Sequence, residues 1–379
     1  QTGLTLTAGS LSTSNASTLT LGIGATSTLT VTRTDGTLGL VPAFNLAGVT
    51  YNIVYNTASG TITTGTEVNS TVNNLTINNT TGVDLQTSII LVNGLTLTTG
   101  TLNTSNASTV TIGTGAASIF AMTRSNGILD IVPVFNLTNV NFDLRYDAAT
   151  ALLTPGNEYN GTVRNFYMNS GNGLDLNAPL TINGVFTLNA GRITLNANDV
   201  TCSSTSSNAG TYNATKMLVQ NGAGRLLRIF NGAQTFTFPI GDDNSDYCGV
   251  TLNFSANSES NRKIGITITD AEHPDNGVQT HFISRYWTFS DDQVGTYTYT
   301  ASFTYSTAVP SDVNGTVGNY KINRWDGADW YQFPTYVNAQ VMTTTTSHTE
   351  ATGLLNGADF TARVILPNTY TWNQIGSAD

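Results

Sequence analysis

Two stretches of this chain, each twenty residues long, are close copies of one another. GLTLTAGSLSTSNASTLTLG at residues 3–22 returns as GLTLTTGTLNTSNASTVTIG at 94–113, and a diverged third copy begins at Gly184 as GVFTLNAGRITLNAN. Further landmarks keep the same offset of 91 residues: VPAFNL at 41 returns as VPVFNL at 132, and GVDL at 82 returns as GLDL at 173. A long tandem repeat built from short alternating segments predicts an elongated β scaffold rather than a catalytic globule.

Apolar residues alternate with Thr and Asn throughout residues 1–200, as in Leu-Thr-Leu and Asn-Leu-Thr-Ile. This period of two predicts half-buried strands at 4–6, 18–21, 27–31, 49–55, 72–77 and 88–92. We predict a parallel β-solenoid with about four coils of roughly 20 to 25 residues in each repeat. Leu, Ile and Val would point inwards, while Thr and Asn form ladders outside. A series of β-sandwiches is the alternative, because alternation alone does not separate the two.

The amino-acid composition changes near residue 200, after which all four Trp residues and most Tyr and Phe residues occur. Strand-like segments at intervals of roughly 10 to 20 residues predict an antiparallel β-sandwich there. The predicted fold is therefore all-β, with parallel β-solenoid-like tandem repeats followed by an antiparallel β-sandwich. The predicted divisions are repeat 1 (1–92), repeat 2 (93–182), a partial third repeat (183–200), the sandwich (201–366), and a linker or terminal strand (367–379).

The charge of the chain argues against several kinds of partner. The net charge is −10, with only 14 Lys and Arg residues, too few basic residues for a face that binds nucleic acid or an anionic membrane surface. No apolar run approaches the roughly 20 residues needed to span a bilayer, so membrane insertion is not expected. The chain begins at Gln1 rather than Met, which suggests a processed segment whose signal peptide has been removed.

Two cysteines, Cys202 and Cys248, are compatible with one disulfide formed in an oxidising compartment. Two separately buried thiols are the alternative. Asp242, Asp243 and Asp246 form an acidic loop between two predicted strands. Carboxylates are the ligands that Ca²⁺ prefers, so these residues are candidate calcium ligands. A solvated hairpin loop is the alternative, because the spacing is not that of an EF-hand.

No pattern of catalytic residues is present, and we do not expect an enzyme. His273, His281 and His348 are scattered and fall in no metal-binding motif. A polysaccharide lyase would need basic groups beside acidic ones, but Arg33 and Arg124 occupy the same repeat position, which favours a structural role for both. No cofactor other than Ca²⁺ is indicated.

Two surfaces could bind a ligand by shape. Trp325, Trp330 and Tyr331 flank a predicted turn and could form a sugar-stacking platform, although aromatics that close the sandwich core are the alternative. Thr-x-Thr repeats could bind ice if they occupied one flat face on every coil, but generic outward Thr residues explain them as well.

Several segments together resemble the large surface and secreted adhesin-like proteins of the Bacteroidetes. The repeats at 92–104 and 181–191 resemble their Thr/Gly/Asn-rich β-repeats. The sandwich that follows such repeats is matched in order by TFPIGD (237–242), RYW (285–287), RWDGADW (324–330) and ADFTA (358–362). The resemblance implies a cell-surface or extracellular location and a role in fibres or adhesion, and it brings no catalytic motif.

The predicted function is that of an extracellular structural protein, a subunit or segment of a cell-surface fibre that assembles through exposed β edges. Its partners would be copies of itself or neighbouring modules of a longer fibre, with residues 1–10 and 367–379 as candidate donor strands. The alternative is a carbohydrate-binding adhesin module that recognises surface glycans. Ice binding and polysaccharide degradation are less favoured.

Overall fold

A computed structural model describes residues 3–15, 17–277, 280–338, 340–350 and 355–364 of the chain. The protein is all-β, with 49% of its residues in strands and 2% in helices, and it contains a parallel β-solenoid of about ten turns. Among the described residues the only helices are the 3₁₀ turns Pro274–Asn276 and Val317–Asn319, so none is long and apolar enough to cross a membrane. The predicted fold class is confirmed.

The chain divides into two compact units. The solenoid unit comprises residues 1–229 and 239–245, and the sandwich unit comprises residues 230–238 and 246–379.

Ten parallel strands form one face of the solenoid, here called the long-strand face, and each opens one coil. Coils 1 to 10 begin with Gly3–Leu6, Ser27–Arg33, Val49–Tyr55, Thr71–Asn78, Ile89–Thr99, Ser118–Arg124, Val140–Asp147, Phe166–Asn169, Val185–Leu188 and Ser207–Ala209. In coil 5 the part of the long strand that lies on this face starts at Gly94.

The strand registers explain the repeat length. Gly3 pairs with Thr30, Thr30 with Asn52, Asn52 with Asn74, and Asn74 with Gly94. These four steps of 27, 22, 22 and 20 residues make up the offset of 91, and the second repeat takes the same four steps. The prediction of four coils in each repeat is therefore confirmed.

Two further sets of short parallel strands complete the coils. The second face contains Ser10–Leu11, Thr37–Leu38, Ile62–Thr63, Val83–Asp84, Thr101–Asn103, Ile128–Leu129, Leu174–Asp175, Ile193–Thr194, Leu218–Val219 and Ile240–Gly241. The third contains Thr20–Leu21, Ala43–Phe44, Val110–Ile112, Val134–Phe135, Thr162–Val163, Leu180–Ile182, Val200–Cys202 and Leu226–Phe230. The first part of the long strand of coil 5 pairs with the third face, through Ile89 and Val110.

Apolar side chains fill the solenoid, and amides line part of its outside. Val31, Ile53, Leu75, Leu95 and Met122 follow one another along an inward row and are all buried. Outside, asparagines of successive coils bond to one another, as expected. Amide-to-amide hydrogen bonds join coils, among them Asn74 to Asn52 (2.8 Å), Asn78 to Asn56 (2.7 Å), Asn189 to Asn169 (2.8 Å) and Asn221 to Asn196 (2.9 Å).

The outward threonines do not form a continuous face. The row that begins with Thr5 and Thr32 is interrupted by Val54, Arg145 and Tyr167. A flat Thr-x-Thr array on every coil, which ice binding would need, is therefore not formed on the long-strand face.

Each full repeat encloses one buried ion pair. In coils 2 and 3, Arg33 and Tyr55 point inwards to Glu67, with Arg33 Nη1 and the Tyr55 hydroxyl 2.7 and 3.1 Å from Glu67 Oε1. In coils 6 and 7, Arg124 and Tyr146 make the same contacts with Glu158, at 2.6 and 3.0 Å. Both glutamates are fully buried. Burial and the nearby carboxylate raise the pKa of both tyrosine hydroxyls, which stay neutral donors. The structural interpretation of the two arginines is confirmed.

The sandwich unit has two antiparallel sheets. One contains Gln234–Phe238, Val250–Asn257, Tyr297–Thr304, Thr335–Asn338, Val341–Thr344 and His348–Glu350. The other contains Arg262–Thr269, Phe282–Ile283, Tyr286–Asp291, Val313–Asn314, Lys321–Trp325, Trp330–Gln332 and Asp359–Arg363. Phe303 of the first sheet packs on Trp287 and Phe360 of the second, with ring centroids 5.0 and 5.3 Å apart. These aromatics form the core between the sheets.

The predicted boundary at residue 200 is wrong, because the solenoid continues through Ile229 and takes in residues 239–245. Leu218–Val219 pairs in parallel with Ile193–Thr194, and Leu226 pairs with Val200. Both strands had been assigned to the sandwich. The predicted linker at 367–379 lies outside the described residues.

Candidate assembly edge and the other predicted sites

The first coil presents three strands with one open side each. Gly3–Leu6 pairs with coil 2, as do Ser10–Leu11 and Thr20–Leu21. Within the part of the chain that the structure describes, none of the three has a strand on its other side. The backbone N–H and C=O groups of that side are free to pair with another chain, because an edge strand is a template for β-augmentation.

The side chains of coil 1 do nothing to block such pairing. Leu11 and Ile23 are 42% and 60% exposed, and Leu4 and Leu19 are half-buried. Leu4, Leu19 and Ile23 also line an open hollow at this end. No charged residue occurs before Arg33 and no proline before Pro42. Edge strands are commonly protected by lysine, proline or inward charge, and the three described strands of coil 1 contain none of these.

The three predicted calcium ligands differ in burial and in the unit to which they belong. Asp242 is buried and belongs to the solenoid unit, Asp243 is exposed, and Asp246 belongs to the sandwich unit. In the sandwich unit, Asp246 Oδ2 lies 3.4 Å from Arg285 Nη2 and its Oδ1 accepts a hydrogen bond from Ser306 Oγ at 2.5 Å. A cation at Asp246 would therefore lie close to a guanidinium.

Arg285 is the centre of an ion-pair network that the sequence did not reveal. Its side chain is fully buried, with Nε 2.8 Å from Asp312 Oδ2 and Nη2 3.2 Å from Asp270 Oδ1. Burial raises the pKa of Asp312, while Arg285 opposes that rise by favouring the carboxylate. Arg285 stands in the RYW segment beside the core residue Trp287. An arginine two residues from a core tryptophan in a strand lies on the same face of the sheet, so the sequence could have predicted that Arg285 is buried and paired with carboxylates.

The predicted disulfide is not present, because Cys202 and Cys248 are both buried thiols that are not bonded to each other. Cys202 lies in a solenoid strand, paired with Arg228, and burial raises the pKa of its thiol to about 11. Cys248 lies in the sandwich unit, where its thiol is 3.5 Å from the Asp246 carbonyl oxygen. The alternative of two separately buried thiols is the one that the structure supports.

Both thiols are expected to be unreactive in the folded chain. A thiol-specific reagent such as dithionitrobenzoate should titrate fewer than about 0.2 thiols per chain in buffer and two in guanidinium chloride, because both thiols are buried and therefore inaccessible to the reagent. Non-reducing mass measurement should give the mass of the dithiol form. A mass lower by two hydrogens would show that the two cysteines form a disulfide.

The predicted sugar-stacking residues do not share one platform. Trp325 pairs with Trp330 across the hairpin and Arg324 with Tyr331, so Tyr331 lies on the opposite face. The Arg363 guanidinium lies 3.9 Å from the Trp330 ring centroid, and Trp330 Nε1 donates to the Asp275 carbonyl at 3.1 Å. Trp330 is therefore in contact with neighbours on the face of the sheet opposite Phe360, so it does not close the sandwich core. Tyr331 remains 43% exposed.

Two of the three histidines pack against aromatic rings within the sandwich unit. His273 is buried, with Nε2 3.1 Å from Asp359 Oδ2 and its ring against Trp330. His348 packs on Tyr331, with ring centroids 4.5 Å apart. His281 Nδ1 lies 2.9 Å from the Thr280 hydroxyl.

Comparison of the chain with protein-family models, with curated proteins and with solved structures finds no match.

Proposed function

We propose that this chain is an extracellular structural protein, a subunit or segment of a cell-surface fibre that assembles through exposed β edges. The observation that carries the proposal is the neutral and apolar edge of coil 1, whose three strands pair on one side only among the described residues. Parallel ladders along the coils would supply a stiff axis, because every coil is hydrogen-bonded to the next. Partners would be copies of the chain or neighbouring modules of a longer fibre.

Negative-stain electron microscopy of the purified chain tests this proposal. We expect regular filaments, and we expect the variant Leu11→Lys/Ile23→Lys to lose them, because lysines on an edge strand, at Leu11, and beside one, at Ile23, oppose edge pairing. The matched control is Val309→Lys/Val294→Lys, which adds the same charge at exposed valines of the sandwich unit. Sedimentation velocity should give a mass distribution for the control like that of the parent, and a monomer for the edge variant.

Discrete particles in both the parent and the control would contradict the fibre. If those particles also bound selected members of a glycan array, and Tyr331→Ala abolished the binding, the carbohydrate-binding adhesin would replace the fibre as the proposed function. The exposed ring of Tyr331 is the observation that keeps this second function open.

A further inference from the structure

One hollow on the solenoid, here called the Arg192 hollow, is lined by coils 7 to 10. Its volume is about 350 Å³. The lining includes Leu152, Gly171, Asn172, Arg192, Thr194 and Thr215, all of which belong to the solenoid unit. Small-molecule sites in proteins begin at about 300 Å³. The hollow is therefore large enough to hold a ligand of the size of one sugar ring.

The backbone beside the Arg192 hollow follows the same path in both copies of the repeat. Gly82 in the first copy and Gly173 in the second have φ values of +91° and +86°. A Cβ on Gly82 would lie 2.9 Å from the Thr101 carbonyl oxygen, and a Cβ on Gly173 would lie 2.9 Å from the Arg192 carbonyl oxygen. Because the backbone is shared, the side chains decide what each of the two corners can bind.

Three differences in sequence open the second corner and give it a charge. Thr61, Thr80 and Thr101 of the first copy correspond, at the offset of 91, to Leu152, Gly171 and Arg192 of the second. A Cβ on Gly171 would meet no atom within 4 Å, so this position borders open space. The Leu152 side chain is 57% exposed. The second corner thus offers space, an exposed apolar side chain and a cation where the first has three threonines.

The Arg192 guanidinium has no carboxylate partner in the part of the chain that the structure describes. Its Nε donates to the Ala214 carbonyl oxygen at 2.8 Å, and this is its only side-chain hydrogen bond there. No acidic residue lines the hollow. The bond from Nε fixes the direction of the group, so Nη1 and Nη2 form a planar fork that matches the two oxygens of a carboxylate.

The neutral polar groups of the Arg192 hollow are suited to hydroxyl groups. Asn172 Nδ2 donates to the Ala149 carbonyl oxygen at 2.8 Å, which leaves Asn172 Oδ1 as an acceptor. The Thr215 hydroxyl donates to Asn213 Oδ1 at 2.8 Å, and its oxygen can still accept. Thr194 has no side-chain hydrogen bond to a described residue. Sugar hydroxyls can donate to these acceptors, whereas an ionised aspartate or glutamate side chain only accepts.

We infer that the Arg192 hollow binds a uronate, a sugar ring that carries one carboxylate. The carboxylate pairs with Nη1 and Nη2 of Arg192. Hydroxyls of the ring bond to Asn172, Thr194 and Thr215, and its C–H groups contact Leu152. This site lies on a different part of the solenoid from the edge of coil 1, and it does not depend on the proposed fibre.

Saturation-transfer difference NMR of the full chain with sodium glucuronate and sodium galacturonate tests this inference. We expect saturable binding of at least one of them, with a Kd on the order of 1 mM. Glucose, which has the ring without the carboxylate, should bind at least about tenfold more weakly, and so should the better uronate to the variant Arg192→Gln. Arg145→Gln is the matched control, because it removes the same charge from a half-buried arginine that stacks on Tyr167 and lies outside the hollow.

A second variant fills the hollow and keeps its charge. Gly171→Thr restores the residue of the first copy, where Thr80 occupies the same position of the repeat. The backbone at Gly171 is not in the left-handed region, so a threonine is compatible with the fold. We expect Gly171→Thr to weaken uronate binding at least about tenfold, and its urea unfolding curve should match that of the parent.

A tetramer of galacturonate shows where the uronate comes from. Binding at least about tenfold tighter than that of the monosaccharide would identify an anionic polysaccharide, and equal affinity would identify the free sugar acid. Both results support the site.

The inference would be overturned if glucose bound as tightly as the uronates, or if Arg192→Gln bound them as tightly as the parent. Sodium sulfate or N-acetylglutamate with the affinity of the uronates would also overturn it, since the neutral groups would then contribute nothing. Uronate binding without filaments would leave this site standing and remove the fibre, while filaments without uronate binding would do the reverse.

Discussion

Replacing Glu67 with alanine is expected to lower the free energy of unfolding of the solenoid unit by about 3–5 kcal/mol, because Arg33 would be left buried without its counter-charge. Glu67 Oε1 accepts from Arg33, from Tyr55 and from the Gly65 N–H at 3.0 Å. Urea unfolding followed by far-UV circular dichroism measures the loss. Tryptophan fluorescence reports on the sandwich unit alone, because no Trp precedes Trp287.

Two further variants serve as controls for Glu67→Ala. The double variant Arg33→Met/Glu67→Leu should be less destabilised than Glu67→Ala, since removing both charges leaves neither unpaired. Asp143→Ala breaks the outer Arg164–Asp143 pair, whose side chains are 32% and 15% exposed, and should cost less than Glu67→Ala, because water reaches the arginine that is left behind. A loss for Glu67→Ala no larger than that for Asp143→Ala would contradict the assignment of a buried, compensated pair.

Leu102→Ala is expected to cost about 2–5 kcal/mol, whereas Leu11→Ala, at the same position of the other copy, should cost less than about 1 kcal/mol. Leu102 is fully buried between coils 4 and 6, and Leu11 is 42% exposed on coil 1. The truncation leaves a cavity only where coils stack on both sides. Urea unfolding of the dissociated chain measures both losses.

The difference in stability loss between Leu102→Ala and Leu11→Ala also tests whether the edge of coil 1 is open in solution. Equal losses for the two variants would mean that Leu11 is covered in solution, and the open edge would then have to be abandoned. Leu102→Met, which conserves volume, is the control and should cost less than about 1.5 kcal/mol.

The coil count could be predicted because the 91-residue offset and the alternation fix both the repeat and its strands. The residue at which the solenoid ends could not be predicted. Parallel stacking requires apolar residues inside but leaves the outward residues free, so Leu218–Val219 and Leu226–Phe230 stack on earlier coils without the Thr and Asn that marked those coils. Near residue 200 the composition of the outward-facing residues changes, but the fold does not.

The sites were predicted less well than the fold, for reasons that differ between them. Glu67 was missed as the partner of Arg33, although Glu67 and Glu158 are the only glutamates before residue 200 and keep the same offset. The division of Trp330 and Tyr331 between two faces follows from the pleat, because adjacent strand residues point to opposite sides. The separate burial of Cys202 and Cys248 depends on long-range packing that their spacing does not encode.

The two buried ion pairs are four coils apart, which is about 19 Å along the ladder at the usual strand spacing. Each pair carries no net charge, and sites so far apart that share no partner contribute additively to stability. Each repeat is therefore energetically self-contained, and one copy can lose its charges without penalty to another.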